Sequence, residues 1–314
     1  MSASLVVQDL VKSFGRRKAL DGLSLEVPSG STFGIVGSNG AGKTTFMAVV
    51  AGLLQSHAGW IDLLGAGPFD PARHAGRITL LPQDSRFPPH ALVEELLAYY
   101  GCLQGIPKRR LPGEIQRVLE WTHLSDRRRS AIRTLSHGMN RRLAIAQAFL
   151  GAPELVMLDE PLSGLDPREA ARIRDLLNGQ RGQRTVLISS HDLHDLEVLC
   201  DHVAFIEQGR LVRQDTLERV VHRGTSLSYV LALGTAPLDD LSACLPDVQW
   251  CASADGSQIT ATFGEPLTPG SVNALALPVL LRAGVQLLEI RRGSSLEQEY
   301  LSLSQPPPLP PSHG

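Results

Sequence analysis

The stretch GSNGAGKT, Gly37 to Thr44, fits the pattern G-x-x-x-x-G-K-[ST] at every fixed position. That spacing suits a phosphate chain. Glycines let successive backbone N–H groups turn inward around phosphate oxygens, and a helix opening at the lysine adds positive potential. Lys43 is placed to neutralise the β- and γ-phosphates of a nucleotide, and the Thr44 hydroxyl to reach Mg2+. The apolar run FGIV leads into the loop and TTFMAVVAG leads out of it, the strand–loop–helix context the motif requires.

Further along, LVMLDEP (Leu155 to Pro161) is an apolar run ending in two acids. Beside a phosphate loop, Asp159 at the strand end can hold the metal directly or through water. Glu160 can accept a proton from a water attacking the γ-phosphate. In LISSHDLHDLE, His191 stands at another strand end, from which an imidazole could reach the same phosphate. Gln83, in TLLPQDSRF, lies where a strand leaves the core and taken alone is an ordinary amide. Phe14 sits in a Lys-Ser-Phe-Gly-Arg turn. Aromatics are more often core residues, yet an exposed ring there could stack on a purine.

Two helix starts carry further polar groups. SGLDPREA sets Asp166 before Pro167, a good cap and a preferred first-turn proline, and such a start can also serve a site. TLSHGMNRRLAIAQAFL (Thr134 to Leu150) has Ser136 as cap and Met139, Leu143, Ala146 and Leu150 on one face. Its tip is an exposed Ser136-His137-Gly138. Arg141 and Arg142, one turn on, are expected either to favour a bound phosphate or to stay solvated.

These residues need a frame that brings strand ends together. TFGIVG, RITLLP, ELVMLDE, TVLISS and HVAFIE are continuous apolar runs, which suit strands buried on both faces of a parallel sheet. Phe14 belongs to an upstream stretch expected to form an antiparallel edge. Between Phe87 and Leu150 the spacing turns helical, with Leu92, Val93, Leu96, Leu97 and Tyr100 on one side. From 226 onward the pattern predicts strand, helix, strand, strand, helix, strand, the ferredoxin-like order. The tail QPPPLPPSHG is Pro-rich and is expected to be extended or disordered.

The 314 residues allow one large and one smaller domain, and a hydrophobic share of 43% with mean hydropathy near zero fits a soluble globular protein. A net charge of −2 gives no basic field that would argue for nucleic acid. The runs Lys108-Arg109-Arg110 and Arg127-Arg128-Arg129 read as solvated helix ends. Cys102, Cys200, Cys244 and Cys251 make no zinc or redox spacing and fit a reduced compartment, where such thiols are expected to be small buried hydrophobes. The N-terminus has no signal-peptide pattern, and no stretch approaches the roughly 20 apolar residues of a membrane span. VNALALPVLLRAG is the nearest, and it is short and interrupted by Pro278. A role at a membrane would need another chain to supply the membrane part.

In type and order, these motifs resemble those of the ATP-hydrolysing subunit of ATP-binding cassette (ABC) transporters, over about two-thirds of the chain, residues 4–215. The resemblance implies an α/β P-loop ATPase core with a mostly parallel sheet, an antiparallel β edge subdomain and a helical subdomain near 87–150. Walker A would be Gly37, Ser38, Asn39, Gly40, Ala41, Gly42, Lys43, Thr44 and Thr45, with Ser38 where the family usually has Pro. Phe14 would stack on adenine, a Phe where Tyr is commoner. Gln83 would be the Q-loop glutamine, sensing Mg2+ and the membrane partner. Asp159 would be the Walker B aspartate, Glu160 the catalytic glutamate, Ser163 to Asp166 the D-loop, and His191 the switch histidine. Mg2+ would be held by Thr44, Gln83 and Asp159. LSHGM occupies the place of the LSGGQ signature: Ser136 and Gly138 are kept, whereas His137 and Met139 depart from it.

The same resemblance implies ATP and Mg2+ as cofactors and a homodimer that sandwiches two ATP molecules, each between one Walker A and the other chain's signature helix. It also implies a separate integral-membrane permease as partner, no nucleic acid, and a place in the cytoplasm, peripheral on the inner face of the membrane. The run CDHVAFIEQGRLV, the added domain at 226–303 and its ending SSLEQEYLSL look like bacterial exporters of the ABC-2 type. That domain is expected to regulate or dimerise, with 304–314 as a disordered tail. An importer subunit is an alternative. A soluble ABC ATPase of translation or DNA maintenance is another, against which stand the single phosphate loop and the lack of a sustained heptad repeat.

Overall fold

The computed structural model describes residues 2–221, 225–233, 236–253 and 255–293, with Leu296, Glu297 and Tyr300. The tail expected at 304–314 and parts of the expected 226–303 domain lie outside the described residues. The chain divides into two compact units, 1–215 and 216–314. In chain order the first contains β1 (Ala3–Phe14), β2 (Arg17–Pro28), β3 (Thr32–Val36), α1 (Lys43–Val50), β4 (Ala58–Leu63), α2 (Pro71–His74), β5 (Ile78–Leu81) and α3 (Val93–Leu103). It continues with α4 (Leu111–Trp121), α5 (His137–Ala148), β6 (Leu155–Asp159), α6 (Pro167–Asn178), β7 (Thr185–Ser190), α7 (Leu193–Leu199), β8 (His202–Glu207) and β9 (Arg210–Thr216).

Two sheets build this unit. One is antiparallel in the order β2-β1-β4, and the other runs β5-β6-β7-β3-β8-β9. In the second, β5/β6, β6/β7, β7/β3 and β3/β8 pair in parallel. Every residue of β3, β6 and β7 is buried, which is why these strands read as unbroken apolar runs rather than alternating ones. Helix α1 shares one core with both sheets: Phe46, Met47 and Val50 pack with Leu5, Leu10 and Leu20 and with Phe33, Ile35 and Leu187. The glycine loop at the start of α1 therefore lies at the seam of the two sheets. Because β3, β6 and β7 run the same way, the segments that follow them emerge at one edge.

Helices α3, α4 and α5 form a separate cluster around Val93, Leu97, Val118, Leu119, Leu143, Ala146 and Leu150, with Met139 packed against it. The predicted apolar face of α5 is the one buried here. Arg128 is not simply solvated: it pairs with Glu94 at 2.7 Å and donates to Gln116 at 3.2 Å.

The second unit contains α8 (Leu217–Val220), β10 (Ser226–Leu233), α9 (Leu238–Cys244), β11 (Gln249–Ala252), β12 (Gln258–Thr262), α10 (Pro269–Arg282) and β13 (Gln286–Arg292). Its sheet is antiparallel in the order β11-β12-β10-β13. Leu241 of α9 and Val272, Ala276 and Leu280 of α10 pack with Leu227, Tyr229, Leu231 and Ile259. This is the ferredoxin-like order read from the sequence. Helix α10 runs through Pro278, which lies on its exposed side. Among the described residues, no helix is long and apolar enough to cross a membrane.

One expectation is corrected. Only Cys200 is buried, and Cys102, Cys244 and Cys251 are exposed. Cys102 follows buried Gly101 on α3, and Cys251 alternates outward on β11, so strand and helix periodicity override the general preference of thiols for the interior.

Leu143, with no exposed surface, holds α5 in the helical cluster. Leu143→Ala is expected to cost about 2–5 kcal/mol, seen as a lower denaturation midpoint in urea followed by circular dichroism.

Candidate nucleotide site

A cleft of about 560 Å3 opens over the start of α1, lined by Phe14, Arg17, Ala19, Asn39, Gly40, Gly42, Lys43, Thr44, Thr45, Gln83, Glu160 and His191. The fold thus collects residues spread over more than half the sequence. Phe14 ends β1 at the turn into β2, half-exposed at 52%, with the Lys12 ammonium 5.5 Å from its ring centre. A half-exposed ring lining the cleft is of a type that can stack on a planar base.

The loop itself is shaped by close backbone approach. Gly42 has φ of +111°, and a Cβ there would stand 2.5 Å from the Ala19 carbonyl oxygen. No other residue type fits that position without moving β2. Lys43 is buried and its Nζ donates to the carbonyls of Gly37 at 2.7 Å and Ser38 at 3.3 Å. Its charge is thereby held inside the turn that phosphate oxygens would enter. Ser38 donates through its hydroxyl to Glu207 at 3.2 Å, and Ala41 is buried beneath the loop.

The opposite wall comes from the ends of β6 and β7. Glu160 is buried and adopts φ of +50°, a left-handed conformation that non-glycine residues rarely take. Its N–H reaches Ser189 Oγ at 3.0 Å and the Ser189 carbonyl at 3.2 Å. Its carboxylate Oε2 is 2.6 Å from His191 Nδ1. Asp159, 1% exposed, accepts from the Ser189 hydroxyl and does not itself line the cleft. A hydroxyl (Thr44), an amide (Gln83) and carboxylates, completed by phosphate oxygens, make a donor set suited to a hard cation such as Mg2+.

Ser136, His137, Gly138, Met139 and Asp166 do not line this cleft. Ser136 and His137 are exposed at the tip of α5, where Ser136 Oγ accepts the Met139 N–H at 3.2 Å. The Met139 side chain turns instead to the helical core. Asp166 is exposed and caps α6, accepting from the Arg168 and Glu169 N–H groups at 3.0 and 3.1 Å. Gly138, expected to be exposed with its two neighbours, is instead buried, because α5 packs there against Glu169: a Cβ at 138 would meet Glu169 Cγ at 2.6 Å.

The expectation for Arg141 and Arg142 is overturned. Neither is solvated nor faces an open phosphate position, since they are 8% and 5% exposed. Arg141 donates to the carbonyls of Pro161 (2.8 Å), Gln83 (3.1 Å), Asp159 (3.2 Å) and Glu160 (2.5 Å). Burial pulls its pKa below the ordinary value, while the charges of Asp159, Glu160 and Asp84 act the other way. Arg142 pairs with Glu169 at 3.1 Å and donates to Thr122 and His123 carbonyls at 2.8 and 3.0 Å. Helix α5 is buried on nearly all sides at this level, so both arginines are drawn inward to carbonyl-rich loop and helix ends.

Three cleft or wall residues had no sequence signal of their own. Arg17 donates to the Gly40 carbonyl at 3.1 Å, and only its place in the Phe14 turn could have pointed to it. Ala19 contributes backbone. Ser189 looks like any small strand residue.

A glycine loop opening a helix between two sheets, facing an acid and a histidine at neighbouring parallel strand ends, defines a P-loop ATPase of the cassette type. The ABC transporter family model matches residues 20–163. The Nod factor export ATP-binding protein I of Burkholderia lata is 33% identical over 310 residues, covering 96% of this chain and 97% of that protein. Its namesake from a Rhizobium species is 31% identical, covering 93% and 94%. A solved ATP-binding subunit of an ABC transporter superposes with a TM-score of 0.62 at 26% identity, covering 71% of this chain and 93% of that one. A cassette solved in its ADP conformation gives 0.61 at 26% identity, covering 70% and 93%. The chain belongs to the ABC transporter family as an ATP-binding protein, and it is an ATPase.

Gly42→Ala is expected to lower ATP affinity at least about tenfold, since the new Cβ must displace the loop or β2. Titration with a fluorescent ATP analogue measures it.

Proposed function

We propose that this ABC ATPase drives export through a separate membrane permease, working as a homodimer with ATP and Mg2+ at the subunit interface. The observation that carries the catalytic part is the convergence of Phe14, the Lys43 loop and the Glu160–His191 pair on one cleft. Export is favoured by the near full-length match to proteins named for Nod factor export, which extends through the second unit.

In this reading, Phe14 stacks on adenine and the loop N–H groups with Lys43 hold the β- and γ-phosphates. The Thr44 hydroxyl, Gln83 and Asp159 would hold Mg2+. That ion, when bound, neutralises charge on the β- and γ-phosphate oxygens. Glu160 orients the attacking water and accepts its proton. His191 fixes the carboxylate through Nδ1, leaving Nε2 as the nitrogen for a phosphate oxygen. Ser136, Gly138 and the N-terminus of α5 serve the nucleotide of the second chain, which accounts for a capped helix tip, exposed at Ser136 and His137, that does not line the nucleotide cleft of its own chain. His137 and Asp166 lie on the same facing surface. The helical subdomain carries the resulting motion to the permease. The second unit, with no clustered metal-ligating side chains among its described residues, regulates or dimerises.

Ser136→Arg and Glu160→Gln chains should each be nearly inactive alone. Mixed, half the dimers formed at random carry one intact site, so about a quarter of the native rate should return. A mixture no faster than its parts would rule out the shared site. A chain ending at residue 215 should bind a fluorescent ATP analogue within about threefold of full length, the residues of the cleft lying before that point.

A further inference from the structure

We infer that Arg141 is a positioning residue, through which the helix bearing Ser136 holds the Glu160 peptide and the Gln83 loop of its own chain in working geometry. The inference rests on Glu160 acting as the base. Three observations carry it. First, the Arg141 guanidinium spends its donors on four backbone carbonyls, those of Gln83, Asp159, Glu160 and Pro161. These belong to the two segments that put Gln83 and Glu160 into the cleft. A guanidinium that only needed a counter-charge would be satisfied by one carboxylate.

Second, Glu160 sits at φ +50°, where an ordinary residue stays only if its surroundings hold it there. Its N–H is held by Ser189 and its carboxylate by His191. The remaining polar group, the carbonyl, accepts from Arg141 at 2.5 Å and, more weakly, from the Ser163 N–H at 3.2 Å, so Arg141 is its shorter and charged partner. Without Arg141 the carbonyl keeps only the longer Ser163 bond, which leaves the peptide freer to turn, and a turn of the peptide swings the carboxylate at the end of its side chain. Third, Arg141 lies on α5, five residues beyond Ser136. The helix is rigid over that distance, so a shift of its tip reaches the Glu160 peptide without any intervening loop.

The rigid planar fork is what the position needs. A lysine carries its donors on a single atom and cannot span Gln83 on one side and Pro161 on the other. The neighbouring Arg142, also buried, turns instead to Glu169 and the end of α4, with its hydrogen bonds going to Glu169, Thr122 and His123.

The test uses the full-length chain with Arg141→Lys, Arg141→Met, Glu160→Gln and the Arg141→Lys/Glu160→Gln double variant. In Arg141→Lys, kcat is expected to fall roughly 10- to 100-fold while the Kd for a fluorescent ATP analogue stays within about twofold. Arg141→Met should be no better. In the Glu160→Gln background, adding Arg141→Lys should deepen the loss less than about twofold, because the two act as one unit. An unchanged kcat in Arg141→Lys would overturn the proposal. So would a parallel loss of ATP affinity and thermal midpoint, or full additivity with Glu160→Gln, since each marks a purely structural role. If Glu160→Gln itself keeps native turnover, the assignment of the base fails instead, and that result is read separately from the Arg141 variants.

Discussion

The peptide of Glu160 is bonded on every side: its N–H to Ser189, its carbonyl to Arg141, its carboxylate to His191. That density of contacts answers a physical difficulty. Glu160, the proposed base, follows the end of β6, yet in that role it has to point across the cleft rather than along the sheet. The chain turns it by breaking out of the β conformation immediately after Asp159, into a region that costs about 1–3 kcal/mol for a side chain with a Cβ. Hydrogen bonds to charged donors contribute about 1.5–3 kcal/mol each, enough to offset that cost. The bend is therefore an expense met by residues from β7, from α5 and from the segment after β7. Ser189 and His191 reach Glu160 because β6 and β7 pair in parallel, and Arg141 reaches it from α5.

The strand, glycine loop and helix of the proposed phosphate site, in contrast, were legible in the sequence. Its chemistry is local: glycines, lysine and threonine sit within eight consecutive residues, and the strand and helix around them are written in the hydrophobic pattern. The acid pair and the histidine were legible for a similar reason, since each ends an unmistakable apolar run. What could not be read was long-range and ran from side chain to backbone. Nothing in NRRLA says that one arginine meets the Gln83 carbonyl, 58 positions away, and the next meets the end of α4. A charged pair on a helix with an apolar face is ordinarily solvated, and burial at this point depends on the loops that close over α5.

The second unit shows the same division. Alternation and helical spacing gave the order of elements, because each element carries its own period. The sheet order β11-β12-β10-β13 is a property of pairing between distant strands and is not written in any one of them. Cys251 and Cys102 illustrate the limit from another side. Composition puts thiols inside, whereas their positions on β11 and α3 turn them out.

Arg141 and Arg142 are successive residues on one helix, so their side chains leave about 100° apart. That angle lets a single turn of α5 grip two separate parts of the chain. Arg141 takes the cleft wall, and Arg142 takes Glu169, near the capped start of α6, and the carbonyl end of α4, where a positive charge also meets the negative pole of that helix. Glu169 in turn packs against Gly138 and pairs with Arg172. The exposed tip of α5 is thus tied on one side to the proposed base and on the other to the segment capped by Asp166. In a dimer that places this tip on the nucleotide of the second chain, any displacement there reaches both segments of the first. Each site would then be tuned by the occupancy of the other, through bonds that have only two stiff elements, a helix and a strand end, between them.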